Sequence, residues 1–193
     1  MTDAQLVARA QGGDLPAFEE LVMKYQREIY GLACRMVSDP EEAKDLSQQA
    51  FMQAFIYIRS FRQDAQFRTW LFRIAINQCY NFLKSRKKLG ETVNCDEVAL
   101  VGEEDSPEEE LVSRDERRRV YAALKKLPPK QQAVLTLKLE QGLSYQEISE
   151  VLELSPETVS RTLSAFRREQ LLAARGRHLV IQNRAGLESV AHR

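Results

Sequence analysis

At 193 residues with 44% hydrophobic side chains, the chain holds enough material for one sizeable core or two small ones, which sets aside the disordered and fibrous classes. Its 28 basic and 28 acidic residues cancel to a formal charge of zero, a balance that at first argues against a nucleic-acid partner. The average conceals a division: residues 1–93 carry 13 basic and 11 acidic side chains, 94–113 carry none and 8, and 114–193 carry 15 and 9.

With 8 Gly and 6 Pro in the whole chain, and apolar residues recurring at threes and fours, an all-α protein is expected. The pattern predicts helices over Asp3–Gln11, 16–37, 40–58, 69–86, 108–126, 129–141, 144–152 and 156–172. Asp39 and Ser155 stand directly before Pro40 and Pro156, and Asp14 lies just ahead of Pro16, the punctuation of helix starts. Residues 90–107 hold most of the acidic strip and lack helical periodicity, so the acidic stretch 94–113 reads as a linker joining two small helical domains, 1–93 and 114–172. In the tail, 173–193, Arg175-Gly176 and the apolar run after His178 suggest a short β-hairpin.

Cys34, Cys79 and Cys95 have no CxxC spacing, and His178 and His192 lie far from them in sequence. Neither a zinc site nor a disulfide framework is expected, and no cofactor. The first residues lack a basic stretch followed by an apolar one, and no run approaches the ~18 apolar residues of a membrane span, so a cytoplasmic protein without membrane insertion is expected. No Gly-rich phosphate loop, metal-ligand cluster or nucleophile–base pair marks an enzyme.

Three stretches carry candidate function. On the helix over 40–58, Ala43, Leu46, Ala50, Ala54, Phe55 and Ile58 share the inward face, and Asp45, Gln48, Gln49 and Met52 form an outward stripe at i, i+3, i+4 and i+7. Amides, one acid and a methionine suit a docking surface, although a merely solvated face remains open. The following loop, 59–68, has three arginines together with Phe61 and Phe67. On the next helix Arg73, Asn77, Tyr80, Asn81, Lys84 and Lys88 fall within an arc of about 100°, opposite Leu71, Ile74, Ala75 and Phe82. Cations, amides and an aromatic on one stripe neutralise phosphates, bond base edges and stack on unpaired bases. Trp70 reads as core.

The third stretch, 144–172, has the pattern of a helix-turn-helix: Ile148, Val151 and Leu152 on a short helix, a turn at 153–155, then Val159, Leu163 and Phe166 on a longer one. The second helix leaves Glu157, Thr158, Ser160, Arg161, Ser164, Arg167 and Arg168 as candidates for duplex DNA, because Arg binds guanine in a bidentate way and Glu accepts from a cytosine amine.

The motifs Asp-Leu-Ser-Gln-Gln-Ala-Phe (45–51) and Phe-Arg-Thr-Trp-Leu-Phe-Arg-Ile-Ala-Ile-Asn (67–77) resemble the second region of the extracytoplasmic-function sigma factors. That resemblance implies that Asp45, Gln48 and Gln49 dock on core RNA polymerase, and that Phe61, Gln63, Phe67, Asn77 and Asn81 handle the melted minus-ten strand; the stripes themselves add Met52 to the first set and Arg73, Tyr80 and Lys84 to the second. At position 49 the family usually has Glu. Leu-Pro-Pro-Lys-Gln-Gln-Ala-Val-Leu-Thr-Leu (127–137) and the run 141–152 are similar to the fourth region, which reads the minus-thirty-five element. From Leu154 onward, however, Pro156–Glu169 and the tail resemble the recognition helix and wing of the cyclic-nucleotide-receptor and fumarate-nitrate-regulator family.

The expected function is promoter recognition as a sigma factor, with core polymerase and promoter DNA, both duplex and melted, as partners, and an anti-sigma protein as a possible regulator. The rivals are a stand-alone winged-helix regulator and a chimeric sigma factor with altered upstream specificity.

Overall fold

The computed structural model describes residues 1–37, 39–62, 66–88, 124, 127–139 and 141–168, and the backbone of 172–175 and 178–181. The acidic segment 94–113 and most of the helix expected over 108–126 lie outside the described residues.

Helix α1 (Asp3–Gln11) opens on a reciprocal cap: the Thr2 hydroxyl accepts from the Gln5 amide and Gln5 Oε1 accepts from the Thr2 amide, at 3.4 and 3.0 Å. It buries Leu6, Val7 and Ala10. Gly13, at φ +93°, turns the chain towards α2 (Leu15–Val37), and Asp14 accepts from the Ala17 amide at 3.3 Å. Helix α3 (Pro40–Tyr57) starts on Asp39, whose Oδ1 accepts from the Glu41 and Glu42 amides, with Pro40 in the first turn, where its missing N–H costs nothing. A 3-10 turn, Ile58–Ser60, follows. Helix α4 spans Phe67–Lys88, starting two residues before the expected 69. Within this first unit α2 packs against α1, α3 and α4. Phe55, expected inside, is 46% exposed; its ring meets only the edge of Phe18, with centroids 5.1 Å apart.

The second unit holds α5 (Pro129–Leu139), α6 (Tyr145–Leu152) and α7 (Pro156–Arg168) around Leu135, Leu143, Ile148, Val159, Leu163 and Phe166. Gly142, at φ +64°, makes the turn between α5 and α6. Helix α7 is described over Pro156–Arg168, and Leu172, the expected last residue of this helix, belongs to a strand: Leu172–Arg175 (β1) pairs antiparallel with His178–Ile181 (β2), Leu172 opposite Ile181 and Arg175 opposite His178.

The two units are in contact, α6 on α4 and α5 on α2. The buried Gln132 side chain donates to the Arg35 carbonyl at 2.7 Å. Arg68 joins the two units. Its Nε donates to Glu28 Oε2 at 2.8 Å, one Nη to Gln141 O and Oε1 at 3.2 and 3.3 Å, and its guanidinium lies 4.9 Å from the Phe72 ring centre.

Candidate nucleic-acid interface

On α3 the buried Ala43, Leu46, Ala50 and Ala54 turn Asp45, Gln48, Gln49 and Met52 outward, and all four are exposed. The apolar part of this surface is larger than the sequence suggested. Met52 and Ile56, one turn apart, are 65% and 66% exposed, and Phe55 and Tyr57 are exposed beside them. Contiguous exposed apolar side chains at a helix end mark a contact surface. The signal was present in the sequence, since Ile56 continues the Gln49–Met52 spacing.

Between α3 and α4 the structure corrects two expectations. Phe61 and Phe67 are only 8% and 4% exposed. Their rings pack edge to face with centroids 5.9 Å apart, and both meet Trp70, at 4.8 and 5.7 Å, while Tyr25 lies 5.8 Å from Phe67. So enclosed, neither ring presents a free face in this structure; they pack at the two ends of the connection. Trp70 is half-buried in this cluster, as a core-packed residue. Gln63 lies outside the described residues, and Arg59, Arg62 and Gln66 are exposed.

The α4 stripe divides in two. Asn77, Asn81 and Lys84 are exposed, whereas Arg73 and Tyr80 are half-buried against the second unit. Arg73 Nη1 lies 3.7 Å from Glu153 Oε1, and the Tyr80 hydroxyl donates to the Pro129 carbonyl at 3.4 Å. Burial pushes the Tyr80 phenol well above its ordinary range, so it stays protonated as a donor.

The helix-turn-helix is held by local chemistry. Ser144 and Glu147 form a reciprocal cap at the start of α6: the Ser144 amide donates to Glu147 Oε2 at 2.7 Å and the Glu147 amide to the Ser144 hydroxyl at 3.2 Å. Burial works to raise the Glu147 carboxyl, but its bonds with Ser144 and the nearby Arg68 and Lys138 charges hold it below the ordinary value. At the other end Glu153 takes a left-handed conformation, φ 52° and ψ 44°, and donates its amide to Ser149 O. Ser155 then caps α7, its hydroxyl accepting from the Thr158 amide at 3.2 Å and meeting the Thr158 hydroxyl at 3.0 Å. Thr158 is thus engaged in the cap and half-buried, and Ser160 is half-buried as well. Glu157, Arg161, Ser164 and Arg168 are exposed opposite the buried Val159, Leu163 and Phe166, and Arg167 is exposed at the flank. The Glu157 carboxyl, bonded to its own amide and to Ser155, is held below its usual range and remains an acceptor.

Among the described residues no cluster of three or more His, Cys, Asp or Glu is placed to hold a metal ion, and no helix is long and apolar enough to cross a membrane. Cys34 and Cys79 are buried thiols, in no disulfide among the described residues, and burial pushes Cys79 up to about 12, far from a reactive thiolate.

Residues 21–89 match the model of sigma-70 region 2, and residues 117–169 match that of sigma-70 region 4. The chain is 37% identical to the RNA polymerase sigma-H factor of Pseudomonas aeruginosa over 165 residues, covering 81% of this chain and 86% of that protein. It is 34% identical to the ECF RNA polymerase sigma-E factor of Haemophilus influenzae over 180 residues, 89% of this chain and 94% of that one. In fold it is similar to CnrH in complex with the cytosolic domain of CnrY, with TM-score 0.67 and 24% identity over 98% of this chain and 97% of that one. It is similar also to the sigma factor RpoE of Bartonella quintana in complex with the anti-sigma factor NepR, with TM-score 0.63 and 21% identity over 78% and 92%. The region 4 match runs through α7, the helix on which the likeness to the cyclic-nucleotide-receptor and fumarate-nitrate-regulator proteins rested; that likeness is not supported, and neither the stand-alone regulator nor the chimera is favoured. The chain belongs to the sigma-70 family, and within it to the extracytoplasmic-function sigma factors, which direct RNA polymerase to promoters.

Proposed function

We propose that this sigma factor divides its work among three surfaces. Helix α3 docks on core polymerase through Asp45, Gln48, Gln49 and Met52, with Ile56 and Phe55 extending the contact. The apolar patch at the end of α3 supports this, because exposed Met52 and Ile56 beside polar side chains suit a protein partner more than a polyphosphate. Asn77, Asn81 and Lys84 of α4, with Arg73 and Tyr80, handle the minus-ten strand, and Phe61 and Phe67 hold the connection before α4 in shape. Upstream duplex DNA is read by Glu157, Arg161, Ser164, Arg167 and Arg168, with Thr158 and Ser160 supporting the cap and the first turn of α7.

The observation that carries this division is the face of α7: Glu157, Arg161 and Arg168 lie on the side away from its three buried residues, and Arg167 is exposed at the flank. Two arginines and one ionised glutamate on one exposed face, with a third arginine beside them, supply both phosphate neutralisation and base-edge bonding. Residues 1–93 and 114–172 act as separate domains, joined by the acidic segment 94–113 and followed by the tail 173–193, and the protein works in the cytoplasm as a non-catalytic subunit. Since Arg73 and Tyr80 also contact the second unit, engagement of the minus-ten strand requires these contacts to part. An anti-sigma protein that favours the contacts would act as an inhibitor; RpoE of Bartonella quintana, which shares the fold, was solved with the anti-sigma factor NepR.

The test is to assemble holoenzyme with alanine variants of each surface. Q48A and M52A should weaken core binding, N77A and K84A should slow promoter opening without weakening it, and R161A should change upstream sequence preference alone. Equal loss of core binding in all of them would defeat the division.

A further inference from the structure

Gln11, the last residue of α1, makes a contact that packing of its own helix does not require. Its Nε2 donates to two carbonyls more than forty residues away, Ile58 O at 2.9 Å and Phe61 O at 2.8 Å. Both belong to the turn by which the chain leaves α3. Carbonyls at a helix end have no helical donor to take; within this turn the Phe61 amide donates to Ile58 O at 3.1 Å and the Ser60 hydroxyl to Tyr57 O at 2.8 Å. Gln11 adds a second donor to Ile58 O and supplies one to Phe61 O, and does so from a half-buried position.

The other end of the same connection is tied to α1 as well. Phe67 packs on Tyr25, and the Tyr25 hydroxyl donates to Asp3, which also pairs with Lys24. Burial works to raise the Asp3 carboxyl, but these bonds outweigh it and hold it lowered, so the tie is intact at neutral pH. Thus α1, about 12 Å long at 1.5 Å per residue, reaches both ends of the segment that joins α3 to α4.

We propose that Gln11 is a positioning residue for minus-ten recognition: by bonding the Ile58 and Phe61 carbonyls it fixes the direction in which the chain leaves α3, and so presents Arg59 and Arg62 to the promoter strand in one arrangement. The inference rests on the minus-ten assignment made above. Its physical content is preorganisation, in which a site held in shape before binding does not lose discrimination to competing conformations. Leu6, Val7 and Ala10 supply the apolar burial that docks α1. Removing the Gln11 donors therefore takes away the orientation of the turn while leaving that burial in place.

The experiment uses the full chain with core polymerase and, as probe, a duplex library randomised at both promoter elements, with preference at each element read from the transcripts. Three variants are compared with the parent. Q11L and Q11E lack the donors, and Q11K retains them. Q11L and Q11E should flatten the minus-ten preference at least fivefold while leaving the upstream preference and the affinity for core within twofold, and Q11K should restore the minus-ten preference. A merely structural role would lower both preferences together. Unchanged minus-ten preference in a folded Q11L or Q11E overturns the inference, as does failure of Q11K to restore it. Loss of folding in both donor-less variants, seen in melting curves, also overturns it, since Gln11 would then hold the fold rather than the turn. If the parent itself shows no minus-ten preference, the minus-ten assignment falls first and the inference with it.

Discussion

Arg73 of α4 and Glu153 of the turn after α6 face one another across the two helical units, Nη1 to Oε1 at 3.7 Å. One partner sits on the stripe assigned to the minus-ten strand, the other in the turn that orients the upstream reading helix. A pair so exposed contributes between zero and about 1 kcal/mol.

The two partners should therefore act in opposite directions on DNA. R73A is expected to slow promoter opening by the holoenzyme, because a phosphate-neutralising cation is lost. E153Q releases Arg73 from the second unit and should leave opening unchanged or raise it, by no more than about fivefold given the strength of such a pair. Single-round transcription from one promoter compares them, and a loss in E153Q equal to that in R73A would contradict the arrangement.

The buried aromatic cluster makes a second prediction. F61A and F67A should destabilise the fold by about 3 kcal/mol each, the usual cost of emptying a buried ring site. Chemical denaturation measures this. Variants that keep the parent midpoint yet lose minus-ten recognition would return these rings to the DNA.

The cap of α6 responds to acid in a direction its bonds determine. The Glu147 carboxyl is lowered from an ordinary value of 4.5, so its contribution to stability is full above that pH and is lost as the pH falls through the lower folded value. Between about pH 5 and 3 the parent should lose more stability than E147Q, which has no proton to take up. S144A, lacking the cap hydroxyl, should cost about 1 kcal/mol at neutral pH. Denaturation midpoints across the acid range read both.

Thr136 of α5 is fully buried and its hydroxyl has no hydrogen-bond partner among the described residues. A buried, unbonded hydroxyl costs roughly 1–3 kcal/mol, so T136V, of nearly the same shape, should raise the melting temperature. A lower midpoint would mean that the hydroxyl is bonded in solution.

Much of the fold was legible in periodicity and punctuation. Helix α1 matches its expected span, and α2, α3, α6 and α7 begin within a residue of theirs, because Asp39–Pro40, Ser144 and Ser155–Pro156 are strong local start signals. The start of α4 was misplaced because Phe67 and Arg68 are fixed by tertiary contacts, with Tyr25, Trp70 and Glu28, that no local pattern encodes. Phe61 and Phe67 looked exposed because they lie outside a clear helical repeat; the aromatic cluster that buries them gathers residues from three parts of the chain. Exposure of Phe55 was missed for the opposite reason, since apolar residues on a periodic helix are read as core until a surface needs them. Contact between the two units was invisible in the sequence, because Arg68, Gln132 and Glu153 are polar residues whose partners lie far away in the chain.

The account stands most directly on whether the chain turns core RNA polymerase into a promoter-selective enzyme. Core polymerase, with and without the chain, should be tested by co-elution at low salt and by transcription from a randomised promoter library. A stable complex and transcripts starting at fixed distances from shared upstream and minus-ten sequences, absent with core alone, are predicted. No complex with core at low salt, or transcripts showing no shared promoter sequence, would contradict it.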